Sequence, residues 1–160
     1  GRVADEAERL GVRLALENTE GIEYLAKLFE ALGDRECVGF CWDTGHEMCY
    51  NWSEDVVGRF GQNGKLFATH LNDNLGIRDF EGKITWLDDL HLLPFDGIAD
   101  WKGIAERLDR AGFDGTMTFE LNTKSKPERH ENDKYDRMDI EDYVTEVYIR
   151  ACRVAALRKR

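Results

Sequence analysis

Val38-Gly39-Phe40-Cys41-Trp42-Asp43-Thr44-Gly45-His46 decides how the chain is read. An apolar run followed at once by a carboxylate, a glycine and an imidazole is how a parallel strand delivers polar side chains to its C-terminal end. The stretch reads as a short buried strand that ends in Asp43, turns at Thr44-Gly45 and presents His46. Three other stretches do the same with one acid or histidine: Leu14-Ala15-Leu16-Glu17, Leu66-Phe67-Ala68-Thr69-His70 and Met117-Thr118-Phe119-Glu120. Glu17 and Asp43 are 26 residues apart, and Asp43 and His70 are 27 apart. The 50 residues from His70 to Glu120 are one such unit stretched by an insertion.

The segments between the strands carry helical periodicity. Val3, Ala4, Ala7 and Leu10 mark a first helix, stopped by Gly11. A second helix runs over Ile22 to Leu32, with Thr19 as a candidate N-cap and Gly33 at its end. Ser53-Glu54-Asp55 reads as a capped start for a helix to Phe60, and Trp101, Ile104, Ala105 and Leu108 mark another before Gly112. Residues 73–99 hold Gly76, Gly82, Pro94 and Gly97 among many aspartates, a long loop with room for a short hairpin. Residues 122–138 read as a charged loop. The last helix, from Ile140 to about Leu157, puts Tyr143, Val144, Val147, Tyr148, Ala151 and Val154 on one face. The order is one helix and then four βα units, which implies a parallel sheet with right-handed crossovers. A closed (β/α)8 barrel needs twice that number. The expected fold is therefore α/β, one domain over residues 1–160 forming the C-terminal half of a TIM barrel. A four-stranded doubly wound sheet is the alternative. Unpaired parallel edges would make such a half pair with another copy or with a missing N-terminal half.

Acids outnumber bases by 32 to 22, for a formal charge of −10, which disfavours a phosphate-backbone partner. No apolar run approaches the roughly 20 residues that span a bilayer. Gly1 to Glu6 is polar and helix-like, so no signal peptide is expected. Cys37, Cys41, Cys49 and Cys152 show no CxxC spacing and read as reduced thiols of a cytoplasmic protein.

Glu17, Asp43, His70 and Glu120 each fall at or just past a strand end, the edge where function collects in parallel α/β folds. Two Glu, one Asp and one His make an oxygen-rich set for one divalent metal. Mn²⁺ or Mg²⁺ is favoured, with Zn²⁺ or Co²⁺ as alternatives. An acid after a strand is also an ordinary helix cap or turn residue, and the regular spacing argues against that for all four together. His46 reads as a further ligand or a substrate contact, and His91, between residues rigidified by Pro94 and Gly97, as a side chain aimed inward. Arg78 is the cation best placed to meet an anionic group of a substrate. His130 reads as solvated, and Trp42, Trp86 and Trp101 as core or pocket wall.

The succession Leu16-Glu17-Asn18, Asp43-Thr44-Gly45-His46, His70-Leu71-Asn72-Asp73, the loop His91-Leu92-Leu93-Pro94-Phe95-Asp96-Gly97 and a strand ending Phe119-Glu120 resembles the xylose isomerase-like TIM barrel proteins. These include sugar-phosphate isomerases and epimerases, ketose 3-epimerases, inosose dehydratases and zinc-dependent AP endonucleases. The resemblance covers the second half of such a barrel. It implies that Glu17, Asp43, His70 and Glu120 bind the metal, that Glu17 and Glu120 flank the substrate as acid and base, and that His46 and His91 lie near its hydroxyls. The implied reaction is isomerisation or epimerisation of a sugar or sugar phosphate through an enediolate. Polyol dehydration, metal-dependent phosphodiester hydrolysis and a non-catalytic half barrel that assembles with another chain or as a homo-oligomer are the alternatives.

Overall fold

The computed structural model describes residues 1–51, 54–76 and 84–159. Arg78 and Ser53 lie outside the described residues. The elements run α1 (Arg2–Leu10), β1 (Leu14–Glu17), α2 (Ile22–Leu32), β2 (Val38–Asp43), α3 (Thr44–Cys49), α4 (Val56–Phe60), β3 (Leu66–His70), α5 (Trp101–Arg110), α6 (Asp133–Asp136) and α7 (Ile140–Ala155). The three strands form one parallel sheet in the order β1-β2-β3. The architecture is α/β, a parallel sheet with helices between its strands.

β2 is central and buried along its whole length. Its side chains alternate. Phe40 and Trp42 enter the core with Leu25, Val57, Phe60, Leu66, Ile104 and Leu108, whereas Gly39, Cys41 and Asp43 share the other face. Gly39 has to be glycine, because a Cβ there would lie 2.4 Å from the Phe67 ring.

The β2–β3 pairing contains one irregularity that determines the composition of the site. Phe40 pairs with Leu66 and Asp43 pairs with His70, so three steps along β2 correspond to four along β3. In an unbroken strand Leu66 and His70 would face the same side. The slip between Phe40 and Cys41 reverses the phase, so Leu66 joins the core and His70 stands beside Asp43.

The fourth strand expected over Thr116–Leu121 is reduced to one parallel bridge, Leu71 with Phe119. Leu71 N donates to Thr118 O at 2.8 Å and Glu120 N to Leu71 O at 3.2 Å. The Thr69 hydroxyl accepts from Thr118 N at 3.1 Å, a side chain standing where a ladder carbonyl would. Glu120 still emerges beside His70. The second helix is entered through Gly21 at φ 76, and Thr19 makes no cap; its hydroxyl donates to Glu20 O. Helix α4 is capped by Asp55, whose side chain accepts from Gly58 N.

The described parts of the 73–99 segment, residues 73–76 and 84–99, are tied down by Asp73. Its fully buried carboxylate accepts from Asn74 N, Phe95 N, Ala99 N and Trp101 Nε1, each at 2.9 Å. An antiparallel bridge joins Asp73 to Leu92. The charged 122–138 stretch contains the single-turn helix α6, and α7 differs from its expected face. Tyr143 and Val154 are buried, whereas Val144 and Tyr148 are exposed. The inward stripe is Tyr143, Val147, Arg150 and Val154, and apolar periodicity alone misses Arg150 within it. Trp42 and Trp101 are buried, but Trp86 is 59% exposed, with the Lys126 ammonium over its ring. The four cysteines are free, and Cys152 is the exposed one.

Arg150 docks α7 by donating to Pro94 O and Asp96 Oδ1, both at 2.7 Å, while Tyr135 Oη donates to the other Asp96 oxygen. Burial would raise the Asp96 carboxyl, but the hydrogen bonds from Tyr135, Arg150 and Lys134 hold it below the usual range. A depressed carboxylate stabilises the fold above its unfolded pKa of about 3.9, and that contribution is lost as pH falls through the folded value. Asp96→Asn is therefore expected to cost about 1–3 kcal/mol at pH 7 in urea denaturation. The gap to wild type should close below about pH 4.

Candidate metal centre

Asp43 is 0% exposed at the end of the central strand. An unpaired buried carboxylate is costly, and the chain around it supplies donors. Oδ1 accepts from His46 N at 2.7 Å, which makes Asp43 the N-cap of α3. Oδ2 accepts from Asn72 Nδ2 at 2.9 Å. Gly45 is required beside it, since a Cβ there would lie 1.9 Å from Asn72 Oδ1. Asn18 extends the β1–β2 ladder by one step with its side-chain amide. Its Oδ1 accepts from Asp43 N at 2.8 Å, and its Nδ2 donates to Asp43 O at 2.9 Å.

Around Asp43 the other three expected ligands converge. Ligand atoms of Glu17, Asp43, His70 and Glu120 all lie within 4.8 Å of one another. His70 Nδ1 stands 3.2 Å from Glu17 Oε1 and 2.9 Å from Glu120 Oε2. That buried nitrogen nonetheless has no partner in hydrogen-bond geometry. Three carboxylates and an enclosed, unpartnered imidazole nitrogen aimed at one point fit a divalent cation. A second group lies alongside. His46 Nε2 and His91 Nε2 approach the same Asp89 oxygen at 3.4 and 3.0 Å. Each ring's Nδ1 faces a backbone carbonyl, Asn18 O at 2.9 Å and Glu120 O at 3.1 Å. Carbonyl partners of this kind orient an imidazole so that Nε2 is free to ligate. His46, Asp89 and His91 thus form a second group able to hold a metal. His91 adopts φ 49, a left-handed conformation held by the Asp73–Leu92 bridge next to it.

The two groups are coupled electrostatically. Burial pushes the Asp43 carboxyl up to about 6, against the pull of the His46 charge and hydrogen bond. Burial would lower the His46 imidazole, but hydrogen bonds to Asp89 and Glu17 raise it to about 11. Asp89, despite its own burial, is held far below the carboxylate range by the same two imidazoles. Burial and then the charges of Glu17, Asp43 and Glu120 push the Cys41 thiol up to about 12.

The structure brings Glu17, Asp43, His70, Glu120, His46 and His91 into one cluster at the strand ends. His130 is solvated, as its charged loop suggests. Asp89 is the residue the sequence reading missed. No pattern in its aspartate-rich loop marks it out. Asn18 and Asn72 stand in legible places, the first directly after Glu17 and the second two residues after His70.

A sequence model described as xylose isomerase-like TIM barrel matches residues 1–139. The chain belongs to that family. It is also 33% identical over 115 residues to a protein of Sinorhizobium fredii (strain NBRC 101917 / NGR234) named "Uncharacterized protein y4fM". That match covers 68% of this chain and 33% of the relative, so the chain spans about a third of the relative's length. The parallel sheet and its helices are accordingly a partial TIM barrel. Among the described residues no helix is long and apolar enough to cross a membrane.

The raised Asp43 carboxyl has a cost for the family's metal-free fold. A folded pKa near 6 against about 3.9 unfolded means that folding takes up a proton, so stability falls as pH rises from about 4 to 6. The magnitude is on the order of 2–3 kcal/mol. In chelator-treated protein Asp43→Asn should remove that slope and be the more stable form at pH 7. Asn72 can flip its amide to match. The same substitution should abolish metal binding in calorimetric titration.

Proposed function

We propose that this chain carries the metal-binding half of a divalent-metal-dependent isomerase or epimerase acting on a sugar or sugar phosphate. The observation that carries the reading is the placement of Glu17 and Glu120, both beside His70 Nδ1 and within 4.8 Å of the other ligand atoms. A divalent cation there, Mn²⁺ or Mg²⁺ by the oxygen-rich donor set, supplies Lewis acidity to a carbonyl and its neighbouring hydroxyl. The residues do the rest. Glu120, half exposed, takes the proton from the carbon next to the carbonyl. Glu17, deeper and beside His46, delivers a second proton, one drawn from solvent, to the other face or to the adjacent carbon, while the first stays on Glu120 until solvent removes it. Return to the other face is epimerisation, and return to the next carbon is aldose–ketose exchange. His46 and His91 line the same mouth as donors to substrate hydroxyls. Arg78 is proposed to meet a phosphate where one is present.

A second reading, metal-assisted phosphodiester hydrolysis, is favoured by the His46–Asp89–His91 group, because hydrolases of that kind gather more than one metal. The net charge of −10 weighs against a nucleic-acid substrate. Dehydration of a polyol would use the same carboxylates.

The test is solvent-deuterium incorporation. The protein that carries this chain, loaded with Mn²⁺, is incubated in D2O with a panel of ketoses, aldoses and their phosphates and followed by NMR. Metal-dependent labelling beside the carbonyl is expected, reduced about 10²–10⁴-fold by Glu120→Gln. Bound metal with no labelling of any sugar, together with cleavage of a model phosphodiester, would transfer the assignment to the second reading.

A further inference from the structure

Cys41 lies at the inner edge of the carboxylate–imidazole group, level with Glu17 and one inward-facing position below Asp43. It is the register partner of Glu17 on β1 and of Ala68 on β3, and it sits two residues before Asp43 on the same face of β2. It is 4% exposed. Its Sγ lies within 4.8 Å of ligand atoms of Glu17 and His70. The other buried thiols have different surroundings: Cys37 reaches Ala4 O and the Glu8 carboxylate, and Cys49 is in α3. Among the described residues, Cys41 is the cysteine that joins a group of metal donors.

We propose that Glu17, Cys41 and His70 form a deeper, sulfur-containing ligand set that captures a thiophilic divalent cation such as Zn²⁺, Co²⁺ or Cd²⁺. The inference rests on reading Glu17 and His70 as ligands. The two positions share those residues, so one ion excludes the other. A hard cation sits higher, among Glu17, Asp43, His70 and Glu120. A thiophilic one sits lower, where carboxylate, sulfur and imidazole supply three donors and leave the fourth tetrahedral position open. Binding breaks the Cys41 S–H bond, forms the sulfur–metal bond and releases one proton to solvent, with no change of oxidation state. Glu120 is not among the donors grouped with Cys41, so an ion held by the sulfur would lack it as a ligand. The centre thereby tells soft from hard cations by depth, and soft ones should inhibit an activity that hard ones support.

The experiment is a Co²⁺ titration followed by absorption, beside a Mn²⁺ titration followed by electron paramagnetic resonance. A sulfur-to-cobalt charge-transfer band is expected in the wild type and in Cys152→Ser, and is expected to be absent in Cys41→Ser. Cys41→Ser should weaken Cd²⁺ binding by at least the roughly 10–100-fold that loss of an outer-shell partner costs, and leave Mn²⁺ binding within a few-fold. Because Cys41 is buried and its variant can misfold, ¹¹³Cd NMR of Cys152→Ser, which removes the exposed thiol, gives the same answer with Cys41 intact. A thiolate-shifted resonance is expected. Mn²⁺ bound with an oxygen- and nitrogen-only cadmium resonance overturns the sulfur ligand and leaves the oxygen-rich centre standing. Neither cation bound overturns both.

Discussion

A carboxylate with no exposed surface sits at the end of the central strand, and the neighbouring structure answers to it. Asp43 takes one hydrogen bond from the first turn of α3 and another from Asn72 beyond β3. The first fixes where α3 starts and so where His46 points. The second requires the close approach that only Gly45 permits. Burial holds the group near pH 6, which means that the metal-free fold spends stability to keep an anion there. Such a strained arrangement makes physical sense in a site whose missing charge is positive.

His70 reaches the same point by a different device. Its strand carries one residue more than its partner between matched positions, and that residue changes which face His70 occupies. Asn18 and Thr69 perform related work at the rim, each replacing a backbone ladder group with a side-chain one. Four side chains from four chain segments converge because their strand ends lie within a residue or two of one level and point to one face, Glu17 beside Cys41 and His70 beside Asp43.

Much of this could be read from residues alone. Apolar runs ending in Glu17, Asp43, His70 and Glu120 located the strand ends, because strands of a helix-covered parallel sheet read as near-continuous apolar runs, most fully in β2, which is buried throughout. The phase slip in β3 could not be read, since no local pattern marks Phe67, the extra residue between Leu66 and Ala68 whose ring lies against Gly39. The fourth strand was overestimated because Thr118 and Phe119 have strand propensity, while the partner that should propagate the ladder is a threonine hydroxyl. Asp89 is not legible because aspartate in a loop crowded with aspartates carries no periodic signal; it becomes meaningful only where Asp73, just past the end of β3, gathers Phe95, Ala99 and Trp101 around it. Arg150 shows the same limit on α7, where a charged residue occupies a core-facing position because Asp96 and the Pro94 carbonyl wait beneath it.

The central claim is that the strand ends form one metal centre. Diffraction from crystals soaked in Mn²⁺, with data collected at the manganese absorption edge, tests it most directly. One anomalous peak bounded by Glu17, Asp43, His70 and Glu120 is the result this account predicts. Full soaking with no peak at those residues, or peaks confined to surface acids, would contradict it.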